Sequence, residues 1–189
     1  FLRREGGFEA LRLNALRIGD WFTGTGTLRG RGKGVAPAVI VEGGNLDLRR
    51  ASFGRGPGGA GAPLSVALDR LQVSQGIALT GFRGDFNTQG GLAGDFTGQI
   101  NGAAAVTGRV TPAGSRSAIR IRAADAGAAL RAAGIFTRGV GGALDLSLSP
   151  VGDAGQYDGR TVIEGLRVVD APALASLLDA VSVVGLLNQ

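Results

Sequence analysis

A two-residue apolar alternation recurs along this chain and constrains its fold more than any other feature. Leu64, Val66 and Leu68 alternate with Ser65, Ala67 and Asp69. Ile119 and Ile121 alternate with Arg120 and Arg122, and Leu144, Leu146 and Leu148 alternate with Asp145, Ser147 and Ser149. Successive side chains of a strand point to opposite faces, so each run reads as a strand with one apolar and one wet face. The 35 glycines among 189 residues lack the triplet period of collagen, so they read as turn and bend positions between strands. Large aromatics are few, which leaves leucine, valine and isoleucine to supply the apolar surface.

The rest of the chain extends this pattern. Residues 8–18 interleave apolar residues with Arg and Asn, Thr23 to Thr27 form a Thr/Gly run, and Val39–Val41 is a short β-branched strand core. A turn is expected at Gly43-Gly44, followed by Leu46 and Leu48 in a new alternation. Gly54 to Pro63 is a low-complexity connection. A hairpin is expected to turn near Gln75-Gly76, and a weak repeat follows, GFRGDFNTQG then GLAGDFTGQI, at the spacing of an all-β meander. Val151 to Gly159 reads as a polar loop, and Thr161–Val169 as the last strand.

Two helices interrupt the strands. Asp125 can cap a helix over 125–134, built on alanines and Leu130 and stopped at Gly134. A second is expected over 171–187, where Asp170 caps, Pro172 sits in the first turn, and Leu174, Leu177, Leu178, Val181 and Val184 follow helical spacing. Many strands with two helices favour an elongated, curled antiparallel sheet over a doubly wound parallel one. The chain is read as one fragment of a longer β-groove protein: glycine-rich strands over 1–123, then a helix-strand-helix segment over 124–189.

Composition excludes much chemistry. There is no Cys, His or Met, hence no disulfide, no thiolate and no imidazole base or ligand. Nineteen of the 20 basic residues are Arg, Lys33 being the single lysine, and the net charge is +5. Arg29, Arg31 and Lys33 cluster in a glycine-broken stretch that reads as a solvated turn. The glycine-rich loop at 54–63 lacks the Lys-Ser or Lys-Thr of a phosphate-binding loop. Asp85 and Asp95 occupy equivalent places in the weak repeat, and paired carboxylates can cleave glycosides, but aspartates at such spacing also belong to turns and wet faces. No catalytic residue and no metal ligand is assigned.

DAGAALRAAGIFTRGVGGALDLSL (125–148) and DGRTVIEGLRVVDAPALASLLDAVSVVGLLNQ (158–189) resemble, in order and spacing, the C-terminal region of the large bacterial AsmA-like proteins, a group that includes the TamB-like proteins, in their alphaproteobacterial type. The resemblance covers the last third of the chain. It implies a non-enzymatic periplasmic protein, held to the inner membrane by an N-terminal helix outside this chain, with a sheet curled into an open, taco-like apolar groove. Such proteins carry phospholipids between inner and outer membranes, so phospholipid would be the transported ligand, both membranes and envelope proteins at either end the partners, and no cofactor or nucleic acid is implied. On this reading Leu64, Val66, Leu68, Ile119, Ile121, Leu144, Leu146 and Leu148 line the groove. The alternative is a structural or adhesin-type surface protein in which the same side chains close into a solid core.

Overall fold

The computed structural model describes residues 2–4, 7–51, 61–153 and 155–169. The expected second helix at 171–187 lies outside the described residues, as does most of the low-complexity connection. Among the described residues thirteen strands and one helix follow one another: β1 (Leu2–Arg4), β2 (Gly7–Ile18), β3 (Phe22–Arg29), β4 (Ala38–Asp47), β5 (Pro63–Gln72), β6 (Ala78–Asn87) and β7 (Ala93–Ile100) lead the chain. Then come β8 (Ala104–Ala113), β9 (Arg116–Ala123), α1 (Ala126–Ala132), β10 (Gly139–Val140), β11 (Ala143–Pro150), β12 (Tyr157–Glu164) and β13 (Arg167–Val168).

Eleven strands form one open sheet whose spatial order repeats the sequence order, β1 to β9, then β11 and β12. The two-residue strands β10 and β13 pair separately. Every joint in the large sheet is antiparallel except one: β4 and β5 run parallel, Val39 beside Leu64 and Leu46 beside Leu71. The fold is therefore the mainly β, mostly antiparallel and unclosed sheet that the alternation implies, with a single parallel joint that the pattern does not announce.

Local boundaries differ from expectation where glycine is ambiguous. Gly43-Gly44 does not turn the chain; β4 runs straight through it, and the pair sits at a bulge where register slips against Thr25 and Gly26. Gly44 has φ +131, and a Cβ there would lie 2.1 Å from the Thr23 carbonyl oxygen, so only glycine fits. Asp69 accepts a hydrogen bond from the Gly44 N–H at 3.1 Å. Register also slips on β2 between Leu13 and Leu16, and on β6 between Thr80 and Arg83. These insertions bend the strands and increase their twist. They also switch which residues face inward, so that Leu68 and Leu71, three apart on β5, are both buried.

Helix α1 forms as expected. Asp125 accepts from the Ala128 N–H at 2.8 Å, and Gly134, at φ +70, follows the last turn. Its alanines Ala126 and Ala129 are buried, and Ala129 joins the core with Leu68, Leu79, Phe82, Phe96 and Val106. Asn101 ties the helix down: its side chain donates to the carbonyls of Ala132 (2.7 Å) and Gly76 (2.9 Å) and accepts from the Ala78 N–H (2.9 Å). So α1 closes the end of the sheet where β5 turns into β6 and β7 into β8. β12 begins at Tyr157, inside the stretch expected as loop, and the chain leaves the sheet after Glu164 instead of continuing to Val169.

Candidate functional site

The residues expected to line a groove fall on one face. Leu64 pairs with Phe86, and the row continues through Gly94 and Val110 to Ile119 and Leu148; in the other direction it passes Val39 and Leu28 to Leu11. A second row runs from Leu13 through Val41, Val66, Gly84, Phe96, Gly108 and Ile121 to Leu146 and Thr161. Leu68 and Leu144 belong to the third row with Phe82, Val106 and Ala123. Neither of the first two rows contains a charged residue from β2 to β12. Their leucines, valines and isoleucines are mostly half-buried, whereas Leu68, on the α1 side, is 2% exposed. The apolar face is thus graded, filled beneath α1 and more open away from it.

Three phenylalanines carry the middle of this face, and the sequence reading passed over them. Phe82 lies between Phe96, with ring centres 5.3 Å apart, and Phe86, at 6.5 Å and nearly parallel. Their rings lie over glycines of neighbouring strands: a Cβ on Gly108 would come within 2.0 Å of Phe96, and one on Gly94 within 2.7 Å of Phe86. Bare glycine backbone is thereby covered by an aromatic ring from the next strand. Part of the signal was the Gly-Asp-Phe repeat itself, in which Gly84 and Gly94 make the space that Phe86 fills, while the glycine under Phe96, Gly108, lies outside the repeat.

The opposite face is charged and laced. Asp85 and Asp95 stand directly opposite each other on β6 and β7. Like charges so placed repel, and each has its own relief: Ser65 donates to Asp85 at 2.7 Å, and Arg109 holds Asp95 at 2.6 and 3.1 Å. Asp145 accepts from Arg120 at 2.5 and 2.8 Å and from Arg122 at 3.0 Å. The Arg120 hydrogen bond, with Arg122 second, depresses the Asp145 carboxyl from 3.8 to about 2; Arg109 lowers Asp95 in the same way. An open concavity of about 1070 Å³ lies on this wet face, lined by Thr97, Gln99, Thr107, Arg120, Asp145 and Ser147 among others. Arg31 and Lys33 lie in the exposed connection between β3 and β4.

No family model, curated protein or solved structure matches this chain. The site's own chemistry is an apolar face with no charge in two full rows, and a wet face on which Asp85, Asp95 and Asp145 are engaged with Ser and Arg. Among the described residues no cluster of acidic side chains could hold a metal ion, and no helix is long and apolar enough to cross a membrane.

Proposed function

We propose that this chain is a segment of a bridge-like lipid-transfer protein of the bacterial envelope, in which acyl chains travel along the first two apolar rows. The observation that carries this reading is the unbroken, uncharged run of both rows across an unclosed sheet. Ten strands at about 4.8 Å each give a lane of roughly 45 Å. That is several times the ~15 Å that one leaflet contributes to the hydrocarbon core of a bilayer. Half-buried Leu, Val and Ile side chains gain about 25 cal/mol per Å² on being covered, so many equivalent contacts hold a chain without trapping it. On this reading phospholipid is the cargo, the protein acts in the periplasm anchored to the inner membrane by a segment outside this chain, and it needs no cofactor and no catalytic residue.

A second reading, a structural β protein with a solid core, is favoured by the burial of Leu68, Phe82, Phe96 and Val106. Site-specific photo-crosslinking in cells separates the two. A photoreactive residue at Leu146 is expected to capture phospholipid, while one at Ser147, its neighbour on the wet face, is not. Equal labelling at both positions, or labelling at neither together with lipid-free purified protein by mass spectrometry, rejects the lane.

A further inference from the structure

We propose that the wet face binds a phosphate monoester of a small hydroxylated compound, its phosphate seated over Ser147 between Arg120 and Arg160. One row of this face runs through Asp85, Asp95, Arg109, Arg120, Ser147 and Arg160 on successive strands of the sheet. Ser147 therefore has an arginine directly on either side, with the two strands that carry them about 10 Å apart. Arg120, Arg122, Ser147 and Arg160 all line the open concavity of about 1070 Å³.

The row carries more positive charge than its own carboxylates offset. Arg109 and Arg120 stand directly opposite each other, a placement that repels. Asp95 relieves Arg109, and Asp145 is shared between Arg120 and Arg122. Arg160 makes no ion pair among the described residues. Four guanidinium groups around Ser147 thus meet two carboxylates, a surplus of two positive charges. Glu164 lines the α1 end of the concavity, four residues along β12 from Arg160, and Asp158 is not in its wall.

The same carboxylates prepare the arginines for a ligand. Asp95 and Asp145 take Arg109 and Arg120 by Nε and Nη2, and Asp145 takes Arg122 by Nε alone. The guanidinium planes are fixed while their Nη1 groups stay available, so less side-chain freedom is lost on binding. A phosphate monoester carries about −1.5 to −2 charges at pH 7 and three strong acceptor oxygens. That matches the surplus of two and the donors of Arg120, Arg160 and the Ser147 hydroxyl, and the arginine fork suits phosphate oxygens in pairs. Thr107 and Thr97, two and three strands away in the same wall, offer hydroxyls to the rest of the ligand. An acyl chain attached to this phosphate would lie among arginines and threonines, so the ligand is a soluble one. The apolar rows occupy the other face, and the site does not depend on whether they carry lipid.

NMR titration of the 189-residue chain with glycerol 3-phosphate, read at the arginine Nε–H groups and the Ser147 amide, tests this. Saturable shifts are expected, and none with glycerol. Arg160→Gln is expected to weaken binding about tenfold and Ser147→Ala about fivefold. Lys33→Gln, the same loss of charge in the exposed β3–β4 connection, is expected to leave it unchanged. Ser147 and Arg160 are exposed, and an amide spectrum unchanged beyond β11 and β12 shows that their variants are folded. No saturation, equal shifts with glycerol, or a Lys33→Gln effect as large as that of Arg160→Gln overturns the proposal. Phosphatidic acid vesicles present the same monoester on a lipid; retention of the chain on them that Arg160→Gln abolishes overturns the assignment to a soluble ligand.

Discussion

Alanine at Gly108 is expected to destabilise the protein when Phe96 is present and to stabilise it when Phe96 is absent. The added Cβ would sit 2.0 Å from the tip of the Phe96 ring and 2.4–2.5 Å from the two carbons beside it. Ordinary carbon contacts need about 3.5–4.0 Å, so the ring must lift by roughly 1.5 Å. It has little room, being 7% exposed and stacked on Phe82. Overpacking of this kind costs about 1–3 kcal/mol, while replacing a strand glycine by alanine returns about 0.5–1 kcal/mol. The net loss for Gly108→Ala is thus about 1 kcal/mol, within a span of roughly 0–2.5 kcal/mol. Phe96→Ala alone costs about 3–5 kcal/mol through the cavity it leaves. In that background the Cβ meets no ring, only the propensity gain remains, and Gly108→Ala becomes favourable by about 0.5–1 kcal/mol. Urea unfolding of the four proteins, compared at constant m-value, measures the cycle. If Gly108→Ala has the same sign in both backgrounds, the ring does not rest on that glycine and the account of the central face is wrong.

Two further expectations concern the wet face and the helix. Asp145, depressed to about 2 chiefly by Arg120 and then by Arg122, stabilises the folded state above the ordinary carboxylate value of 3.8, and that contribution fades as pH falls from about 4 towards 2; carboxyl NMR titration should find Arg120→Met raising the Asp145 pKa more than Arg122→Met, and the reverse order would refute the assignment of the dominant partner. Asn101→Ala is expected to lower stability by about 2–3 kcal/mol, losing three hydrogen bonds and forcing alanine to φ +48; Asn101→Gly, which accepts that φ, should lose less in thermal unfolding.

Much of the sheet was legible because alternation constrains register as well as strand. Leu64, Val66, Leu68, Ile119, Ile121, Leu144, Leu146 and Leu148 share one face because each run of period two meets the next in phase. Glycine was the obscure letter. At Gly43-Gly44 it marks a bulge inside β4 and not a turn, and both uses exploit the same freedom at positive φ, so the residue type cannot separate them. The parallel β4–β5 joint left no trace in the pattern, since a strand buries one face equally well beside a partner of either direction. Tyr157 to Gly159 reads as loop because Asp and Gly are poor strand formers, yet pairing with β11 holds them in register. The opposition of Asp85 and Asp95 follows from a turn of fixed length between two copies of the weak repeat, and what relieves it, Ser65 and Arg109, comes from strands outside the repeat.

The spatial order of the strands also says how such a sheet assembles. Most neighbours are joined by tight turns, as Gln72 to Ala78, Ile100 to Ala104 and Ala113 to Arg116, so their ladders can zip from the turn outward in microseconds. Two joints cannot. Val39 meets Leu64 across 25 positions, and Ile119 meets Leu148 across 29, with α1 in between. The chain is therefore three locally closing blocks, β2–β4, β5–β9 and β11–β12, stitched by two slower loop closures whose entropy must be met before their contacts form. The parallel joint, which no hairpin can nucleate, is the step at which the first block finds the second.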